Sequence, residues 1–258
     1  MENKLVSIIT PSYNSERFIS ETINSIINQT YINWELLITD DCSKDNTISI
    51  VESFQKNDSR IKLFVLKSNG GAGLARNNSI RNAKGRYIAF CDSDDQWKID
   101  KIEKQLGFMD RLSLKFTYSS YDVVDEFGYF MSVIEAPKTI SYKMLLNNNY
   151  VGCLTAIYDR KLLGNLYMNE IRKRQDWALW LHIMKMLKTT KGMSDSLAIY
   201  RVRSNSISTN KVEMLKYNYQ IYNIVLGYNH LLSFFLIINY IFQYLIKKIK
   251  YNRRSGRF

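Results

Sequence analysis

The first hundred residues alternate between short apolar runs and amphipathic stretches, a pattern that predicts strands followed by helices. Four of the apolar runs suit strands that are covered on both faces, namely 5–10, 34–39, 61–66 and 87–91. Because a helical pattern follows each run, we expect a mostly parallel, doubly wound α/β sheet with right-handed crossovers. Pro11 is expected to stop the first strand, and Gly85 to close the third helix as its C-cap.

After the fourth run the elements are less regular. An amphipathic helix comes next, a strand is expected at 116–120, and residues 126–128 suit a hairpin turn. Helical patterns occupy 141–149 and the stretch that starts just after Asp176, and a late strand is expected at 197–202.

The stretch 224–246 has 23 residues, long enough to cross a membrane as a helix. Its polar residues fall within one half of a helical wheel, its apolar residues cover the other half, and lysines follow. This one-sided pattern favours a helix that lies in the plane of an anionic membrane surface. Packing of the same helix on its own domain or on a second subunit remains an alternative.

The formal net charge is +12, and half of that excess lies in residues 247–258, which contain six Lys/Arg and no acid. A cationic tail implies an anionic partner. We expect lipid headgroups and no nucleic acid, because the apolar residues of the tail share one helix face. The three cysteines form no disulfide or metal pattern, and the first ten residues do not resemble a signal peptide. These features predict a cytoplasmic N-terminus.

Carboxylates follow two of the predicted strands. Asp40 and Asp41 come after the second strand, and Asp92, Asp94 and Asp95 come after the fourth. In an open α/β sheet, ligands bind beyond the carboxyl ends of parallel strands, so both clusters are expected at one sheet edge. Acids that are crowded together repel one another unless a cation joins them, and oxygen ligands of this kind suit Mg²⁺ or Mn²⁺.

Six segments, in this order, together resemble family 2 glycosyltransferases, which have the GT-A fold. They cover roughly residues 5 to 208 and are VSIITPSYN at 6–14, LITDDCS at 37–43, GLARN at 73–77, GRYIAFCDSDD at 85–95, QDW at 175–177 and YR at 200–201. The resemblance implies an α/β GT-A domain with a C-terminal helical extension. It implies a nucleotide-sugar-binding half (1–110) and an acceptor-binding half that carries the catalytic base (111–210). Outside the resemblance, we expect residues 211–258 to form a basic helical tail that associates with a membrane or forms oligomers.

The resemblance also implies roles for individual residues. Pro11, Tyr13 and Asp41 would hold the nucleotide base, with Tyr13 stacking on it, and Arg76 would lie near the nucleotide. Asp92 and Asp94 match the family's DXD motif. Asp92 would face the ribose or the metal, and Asp94 would coordinate Mn²⁺ or Mg²⁺ directly.

Asp176 matches the catalytic base of the family. A single base on the face opposite the leaving group implies inversion at the anomeric carbon, whereas retention by double displacement needs a second, nucleophilic carboxylate. Two positions depart from the family pattern. Gln175 stands where a Glu is common, and Arg203 stands where many members have a His. Arginine does not ligate metals but pairs well with phosphate, so we expect Arg203 to contact the diphosphate.

We therefore expect an inverting, metal-dependent glycosyltransferase that takes a hexose from a nucleotide diphosphate donor, with a UDP-hexose favoured. The expected acceptor is a lipid-linked oligosaccharide of bacterial O-antigen, capsule or other surface polysaccharide synthesis. The expected location is the inner face of the cell membrane, and a homodimer is left open. One alternative is a phosphatase of the haloacid-dehalogenase type, which also has an Asp-x-Asp motif after a strand. Another is a non-catalytic membrane subunit that binds sugar nucleotides.

Overall fold

A computed structural model describes residues 4–203 and 211–254, and within the second range it describes the side chains of 213–243. The strands are β1 Val6–Ser12, β2 Trp34–Asp40, β3 Ile61–Val65, β4 Tyr87–Phe90, β5 Gln96–Trp97, β6 Phe116–Val124, β7 Phe130–Ile134, β8 Thr139–Ser141, β9 Ile157–Asp159 and β10 Thr189–Arg201. The helices are α1 Ile19–Ile27, α2 Thr47–Asn57, α3 Ala72–Asn82, α4 Lys101–Leu112, α5 Tyr142–Asn147, α6 Arg160–Leu163, α7 Gln175–Leu187, α8 Lys211–Gln220 and α9 His230–Arg254.

One large sheet forms the centre of the molecule, in the order β3-β2-β1-β4-β9-β6-β10-β5. The strands β3, β2, β1 and β4 are parallel to one another, as the sequence predicts. Beyond β4 the sheet is mixed, because β9 runs antiparallel to both β4 and β6 while β10 lies parallel to β6. The α/β fold with a helical C-terminal part is confirmed, and strands from both predicted halves belong to the same sheet.

Helices cover both faces of this sheet, so the sheet has two apolar cores. The residues of α1, α2 and α4 pack against one face, around Trp34 and Trp97. The residues of α3, α5 and α7 pack against the other face, where the Trp180 ring stacks on Phe116 and meets Phe90 edge-on. Burial on both faces explains why the central strands are continuous apolar runs without alternation.

Two of the sequence-based boundaries are wrong. Pro11 does not stop the first strand, since β1 continues to Ser12 with Pro11 opposite Thr39 of β2. On its other side β1 pairs with β4 only as far as Ile9. At Pro11 the strand therefore has a neighbour on one side only, and a proline, which has no N–H to donate, is tolerated there. Gly85 is not the C-cap of α3, which ends at Asn82 with Ala83 in the capping position.

The segment predicted at 224–246 is not one continuous helix. A π-helical turn, Ile221–Val225, precedes Gly227, whose φ of 70° breaks the chain direction before α9 begins at His230. The polar Ser233 of α9 is buried against the domain, together with part of Leu236, Ile237 and Tyr240.

The opposite face of α9 is apolar and exposed. We call it the apolar face of α9, and it consists of Leu231, Leu232, Phe234, Phe235, Ile238, Ile241 and Phe242. The helix thus packs on its own domain through its other side, whereas this face is left uncovered by the described residues. Among the helices in the described part of the chain, none has the length and apolarity required to cross a membrane.

Candidate active site

Hydrogen bonds join the loops that follow β1, β2 and β4 at the carboxyl edge of the sheet, and we call the region between these loops the cleft. The N–H of Asp41 donates to the carbonyl of Ser12 at 2.8 Å. The N–H of Asn14 donates to Ser43 Oγ at 2.9 Å, which holds the first two loops together. The hydroxyls of Ser15 and Ser93 are 2.7 Å apart and connect the loop after β1 to the loop after β4. The predicted convergence of these loops is therefore present.

Asp41 is almost fully buried and organises the glycine-rich turn after β3. Its two carboxylate oxygens accept hydrogen bonds from the backbone N–H groups of Gly70 and Gly71, each at 2.7 Å. Gly71 has a φ of 89°, a backbone conformation that favours glycine, and α3 begins directly after it. Asp41 thus connects β2 to the start of α3, which carries Arg76.

Pro11 and Tyr13 flank Ser12, whose carbonyl accepts the hydrogen bond from Asp41. Pro11 is buried within β1, whereas the Tyr13 side chain is 48% exposed at the rim of the cleft. Tyr13 is therefore not part of the core, and its ring is accessible to a planar ligand. The contact between a nucleotide base and Pro11, Tyr13 and Asp41 stays a prediction.

Arg76 projects from α3 to the floor of the cleft. Its Nη2 contacts Asp92 Oδ1 at 2.5 Å, and its Nη1 lies 3.5 Å from Gln175 Oε1. Burial disfavours the charged form of Arg76, yet the carboxylates of Asp92 and Asp176 both raise its pKa. Its Nε is buried and has no hydrogen-bond partner among the described residues. The Arg76 guanidinium therefore lies between the predicted metal-binding loop and the predicted base.

Asp94 pairs with Arg203, whose Nε is 2.8 Å from Asp94 Oδ2. Burial raises the pKa of Asp94, the Arg203 guanidinium opposes this increase, and the neighbouring charge of Asp92 adds to it. Arg203 thus faces the acidic loop from the end of β10. The phosphate contact that the sequence suggests for Arg203 stays a prediction.

Arg201 anchors the same acidic loop from β10. Its backbone N–H donates to the buried Asp95 carboxylate at 3.1 Å, and its Nε donates to the carbonyl of Asp94 at 3.2 Å. Its Nη2 also forms an ion pair with Glu21 at 2.5 Å. Arg201 is 5% exposed, so this residue holds the loop in place.

Asp176 lies in the first turn of α7, where the helix dipole favours a negative charge. Its Oδ2 accepts a hydrogen bond from Asn149 Nδ2 at 2.9 Å. Because Gln175 contacts Arg76, the start of α7 faces the same cleft as the acids after β4. The structure therefore brings the predicted base and the predicted donor residues together.

Three residues of the cleft belong to none of the matched segments: Asn149, Cys153 and Tyr121. Burial raises the pKa of the Cys153 thiol well above its usual range, with Arg76 opposing this and Asp92 and Asp176 adding to it. Burial also raises the pKa of Tyr121 to about 12, and its neighbours Tyr200, Asp95 and Asp176 contribute. Cys153 and Tyr121 thus lie near both carboxylate groups. No motif marks them. Tyr121 is placed here by β6, and Cys153 by the short 3-10 turn Cys153–Thr155.

The acidic loop is suited to a divalent cation that is shared with phosphate oxygens. Within residues 4–203 and 211–254 no group of three or more His, Cys, Asp or Glu side chains forms a complete metal site. However, Mg²⁺ is commonly held by one or two carboxylates together with substrate phosphates. Asp92 and Asp94 supply such carboxylates, and both are now neutralised by arginines. The residues therefore fit a cation that arrives with its substrate.

Comparisons with known proteins find a family model and close relatives for this chain. The family model described as "Glycosyl transferase family 2" matches residues 7–166. The putative teichuronic acid biosynthesis glycosyltransferase TuaG of Bacillus subtilis is 44% identical over 219 residues, covering 84% of this chain and 87% of that protein. WfgD of Escherichia coli, a UDP-Glc:alpha-D-GlcNAc-diphosphoundecaprenol beta-1,3-glucosyltransferase, is 39% identical over 258 residues, covering 100% of both chains.

Solved structures show the same fold. The crystal structure of S. aureus TarS 1-349 in complex with UDP-GlcNAc has a TM-score of 0.72 at 22% identity, covering 92% of this chain and 71% of that one. The fold is therefore the GT-A fold. The family match and the two relatives then show that the chain belongs to glycosyltransferase family 2.

Proposed function

We propose that this protein is an inverting glycosyltransferase that transfers a hexose from a UDP-hexose to a hydroxyl group of a lipid-linked saccharide in bacterial surface polysaccharide synthesis. The observation that carries the proposal is the position of Arg76 between the two predicted sites. Arg76 contacts Asp92 of the proposed donor site, and the charge of Asp176, the proposed base, raises the pKa of Arg76. The name of WfgD describes a UDP-glucose donor and a diphosphoundecaprenol-linked acceptor. Its similarity over the full chain favours substrates of the same class.

In the proposed reaction Asp176 is the general base. Its carboxylate takes the proton of the acceptor hydroxyl while the oxygen of that hydroxyl bonds to the anomeric carbon. The bond from this carbon to the diphosphate breaks at the same time, and UDP leaves with the electron pair. Because the attack comes from the face opposite the leaving group, the configuration inverts. A second nucleophilic carboxylate is not required.

The leaving diphosphate gains negative charge, and the cleft supplies positive charge for it. Arg76 is buried in the cleft floor and Arg203 lies at its edge, so both can pair with phosphate oxygens once substrate displaces their carboxylate partners. Asp94 and Asp92 would hold Mn²⁺ or Mg²⁺, which would supply Lewis-acid stabilisation of the leaving group. Tyr13 would stack on the uracil ring, and Pro11 and Asp41 would form the rest of the base pocket.

The protein is proposed to work at the inner face of the cell membrane as a peripheral protein. The apolar face of α9 points away from the domain, and the basic residues 247–258 follow it in sequence. Apolar area combined with basic charge suits an anionic lipid surface. Such a location would bring the cleft to acceptors whose lipid is embedded in the bilayer.

Replacing the proposed base tests this function. In Asp176→Asn, transfer from UDP-glucose to a GlcNAc-diphospho-lipid acceptor should fall by roughly 100-fold or more, because the amide cannot take the proton. Stabilisation by UDP and Mn²⁺ in a thermal-shift assay should be retained. Asp94→Asn should instead lose the part of this stabilisation that depends on Mn²⁺.

The exposed Asp195 of β10 offers a matched control, and Asp195→Asn should behave as the wild type in both assays. Full transfer by Asp176→Asn would overturn the assignment of the base. If the wild type binds UDP but transfers to no saccharide acceptor, the protein is a non-catalytic binding subunit. Release of phosphate from a simple phosphomonoester would favour the phosphatase alternative.

A further inference from the structure

We propose that Asn149 is a positioning residue that holds one oxygen of the Asp176 carboxylate and leaves the other for the acceptor hydroxyl. The inference rests on the proposed function, in which Asp176 is the base. Asn149 Nδ2 donates to Asp176 Oδ2 at 2.9 Å. Nothing in the matched sequence segments marks Asn149, and only the three-dimensional structure brings the two side chains together.

The orientation of the Asn149 amide is fixed by a second hydrogen bond. The backbone N–H of Val151 donates to Asn149 Oδ1 at 3.1 Å. A backbone N–H can only donate, so the side-chain atom that faces Val151 must be the oxygen. The NH₂ group must then face Asp176, where it can only donate to a carboxylate.

The distance between these two residues is set by the packing of α5 on α7. Ser141 Oγ caps α5 by accepting from the N–H of Met144, and Asn149 follows shortly after the helix ends. Trp177, the neighbour of Asp176, donates from its Nε1 to the carbonyl of Leu145 in α5 at 2.8 Å. This buried contact holds the two helices together, so the bond between Asn149 and Asp176 forms across an already rigid junction.

The second oxygen of the base is left for substrate. In the part of the chain that the structure describes, Asp176 Oδ1 accepts no hydrogen bond. A carboxylate that is bound at one oxygen cannot rotate freely, so its free oxygen keeps one direction. A misplacement of about 1 Å in a reacting group can reduce a rate by roughly 100-fold. Asn149 is therefore expected to affect kcat without contacting the donor.

A pair of substitutions separates this role from a structural one. Asn149→Ala removes both hydrogen bonds, and kcat should fall by about 10-fold to 100-fold. Asn149→Asp keeps the shape of the side chain and the oxygen that accepts from Val151, but places a carboxylate against Asp176. Its kcat should fall at least as far as that of Asn149→Ala. A residue that only supports the backbone at Val151 would tolerate the aspartate.

The adjacent Asn148→Ala is the matched control and should keep the wild-type kcat. For all variants, KM for the UDP-sugar and the thermal stabilisation by UDP should stay within about twofold of wild type, since Asn149 is proposed to act on the base alone. Melting temperatures should also be recorded, so that a loss of folding is not mistaken for a loss of kcat.

Asp176→Asn is measured beside these variants. If Asp176→Asn is inactive and Asn149→Asp has wild-type kcat, the positioning role is overturned while the proposed base stands. If Asp176→Asn transfers sugar at the wild-type rate, the proposed base is wrong, and the proposed role of Asn149 is then wrong as well. Wild-type-like kcat in Asn149→Ala would also overturn the inference.

Discussion

Lys101, at the start of α4, is a fully buried amine with no carboxylate partner among the described residues. Its Nζ donates to Gln105 Oε1 at 2.7 Å and lies 3.9 Å from the centroid of the Trp97 ring. Burial lowers the pKa of Lys101 to about 7, an effect that Cys91 slightly opposes. The hydrogen bond and the aromatic ring therefore compensate only part of the cost of removing an ammonium group from water.

Replacing Lys101 with Met should stabilise the protein at neutral pH. The pKa of this lysine is 10.5 when unfolded and about 7 when folded, so between these values the unfolded state binds more protons. The burial penalty is full below pH 7 and disappears as the pH rises towards 10.5. Lys101→Met should raise the free energy of unfolding by roughly 2 kcal/mol at pH 7.

Urea denaturation of the wild type and of Lys101→Met at pH 7 and pH 9.5 measures this effect. The other titrating groups are common to both proteins, so they cancel in the difference between the two free energies of unfolding. The advantage of Lys101→Met over the wild type should shrink at the higher pH. Lys104→Met on the exposed side of α4 is the control and should show no such change. An advantage that stays constant, or grows, with pH would contradict the assigned state of Lys101.

At the residue scale, the sequence was informative where a motif coincides with the end of a strand. Asp41, Asp92 and Asp94 could be predicted at one edge because parallel strands align their carboxyl ends. Asn149 could not, because its partner Asp176 is reached only through the packing of α5 on α7. The ion pair of Arg203 with Asp94 could not be predicted either, because a guanidinium also suits phosphate and the sequence suggested that partner instead.

At the element scale, Gly85 shows why a correct residue type can have a different cause. A glycine near a helix end predicts a C-cap, yet the requirement here is space. A Cβ on Gly85 would lie 2.6 Å from the carbonyl oxygen of Leu5 and 2.6 Å from the nitrogen of Ser7. Both atoms belong to the backbone beside or within β1, which is buried between β2 and β4 and cannot move aside.

Gly85→Ala should therefore lower the free energy of unfolding by about 2–3 kcal/mol, as overpacking does elsewhere in protein cores. The control is Gly107→Ala, since a Cβ at this position in α4 meets no atom within 4 Å. That change should stabilise the protein by up to about 1 kcal/mol through helix propensity. Equal effects of the two substitutions in urea denaturation would show that close packing at Gly85 is unimportant.

The first four strands could be predicted from the sequence because each is a continuous apolar run. The short strands β5, β8 and β9 were not predicted, since two or three residues carry no detectable periodicity. They are strands only because partners distant in sequence, such as β10 for β5 and β4 for β9, supply hydrogen bonds. The mixed second half of the sheet therefore depends on long-range pairing that local patterns do not encode.

At the scale of the whole molecule, α9 reverses the usual orientation of an amphipathic helix. Ser233 is buried while Phe234 and Phe242 are 57% and 59% exposed. An apolar patch of this kind marks an interaction surface. Lipid and a second subunit would both cover it, but only an anionic surface also uses the basic residues 247–258. We therefore favour lipid, and the two occupants differ in a measurable way.

Phe234→Glu combined with Phe242→Glu should weaken binding to vesicles of phosphatidylglycerol and phosphatidylethanolamine by at least tenfold, because each buried Phe contributes about 1.5–3 kcal/mol. Binding of the wild type should also decrease with salt. Ile32→Glu, at a residue that is 76% exposed in the loop before β2, should leave binding unchanged. Light scattering without lipid measures the oligomeric state and so tests whether a second copy covers this face. The membrane proposal would be overturned if the wild type is a dimer that does not bind vesicles and the double substitution converts it to a monomer. The apolar face of α9 would then be the interface with a second copy.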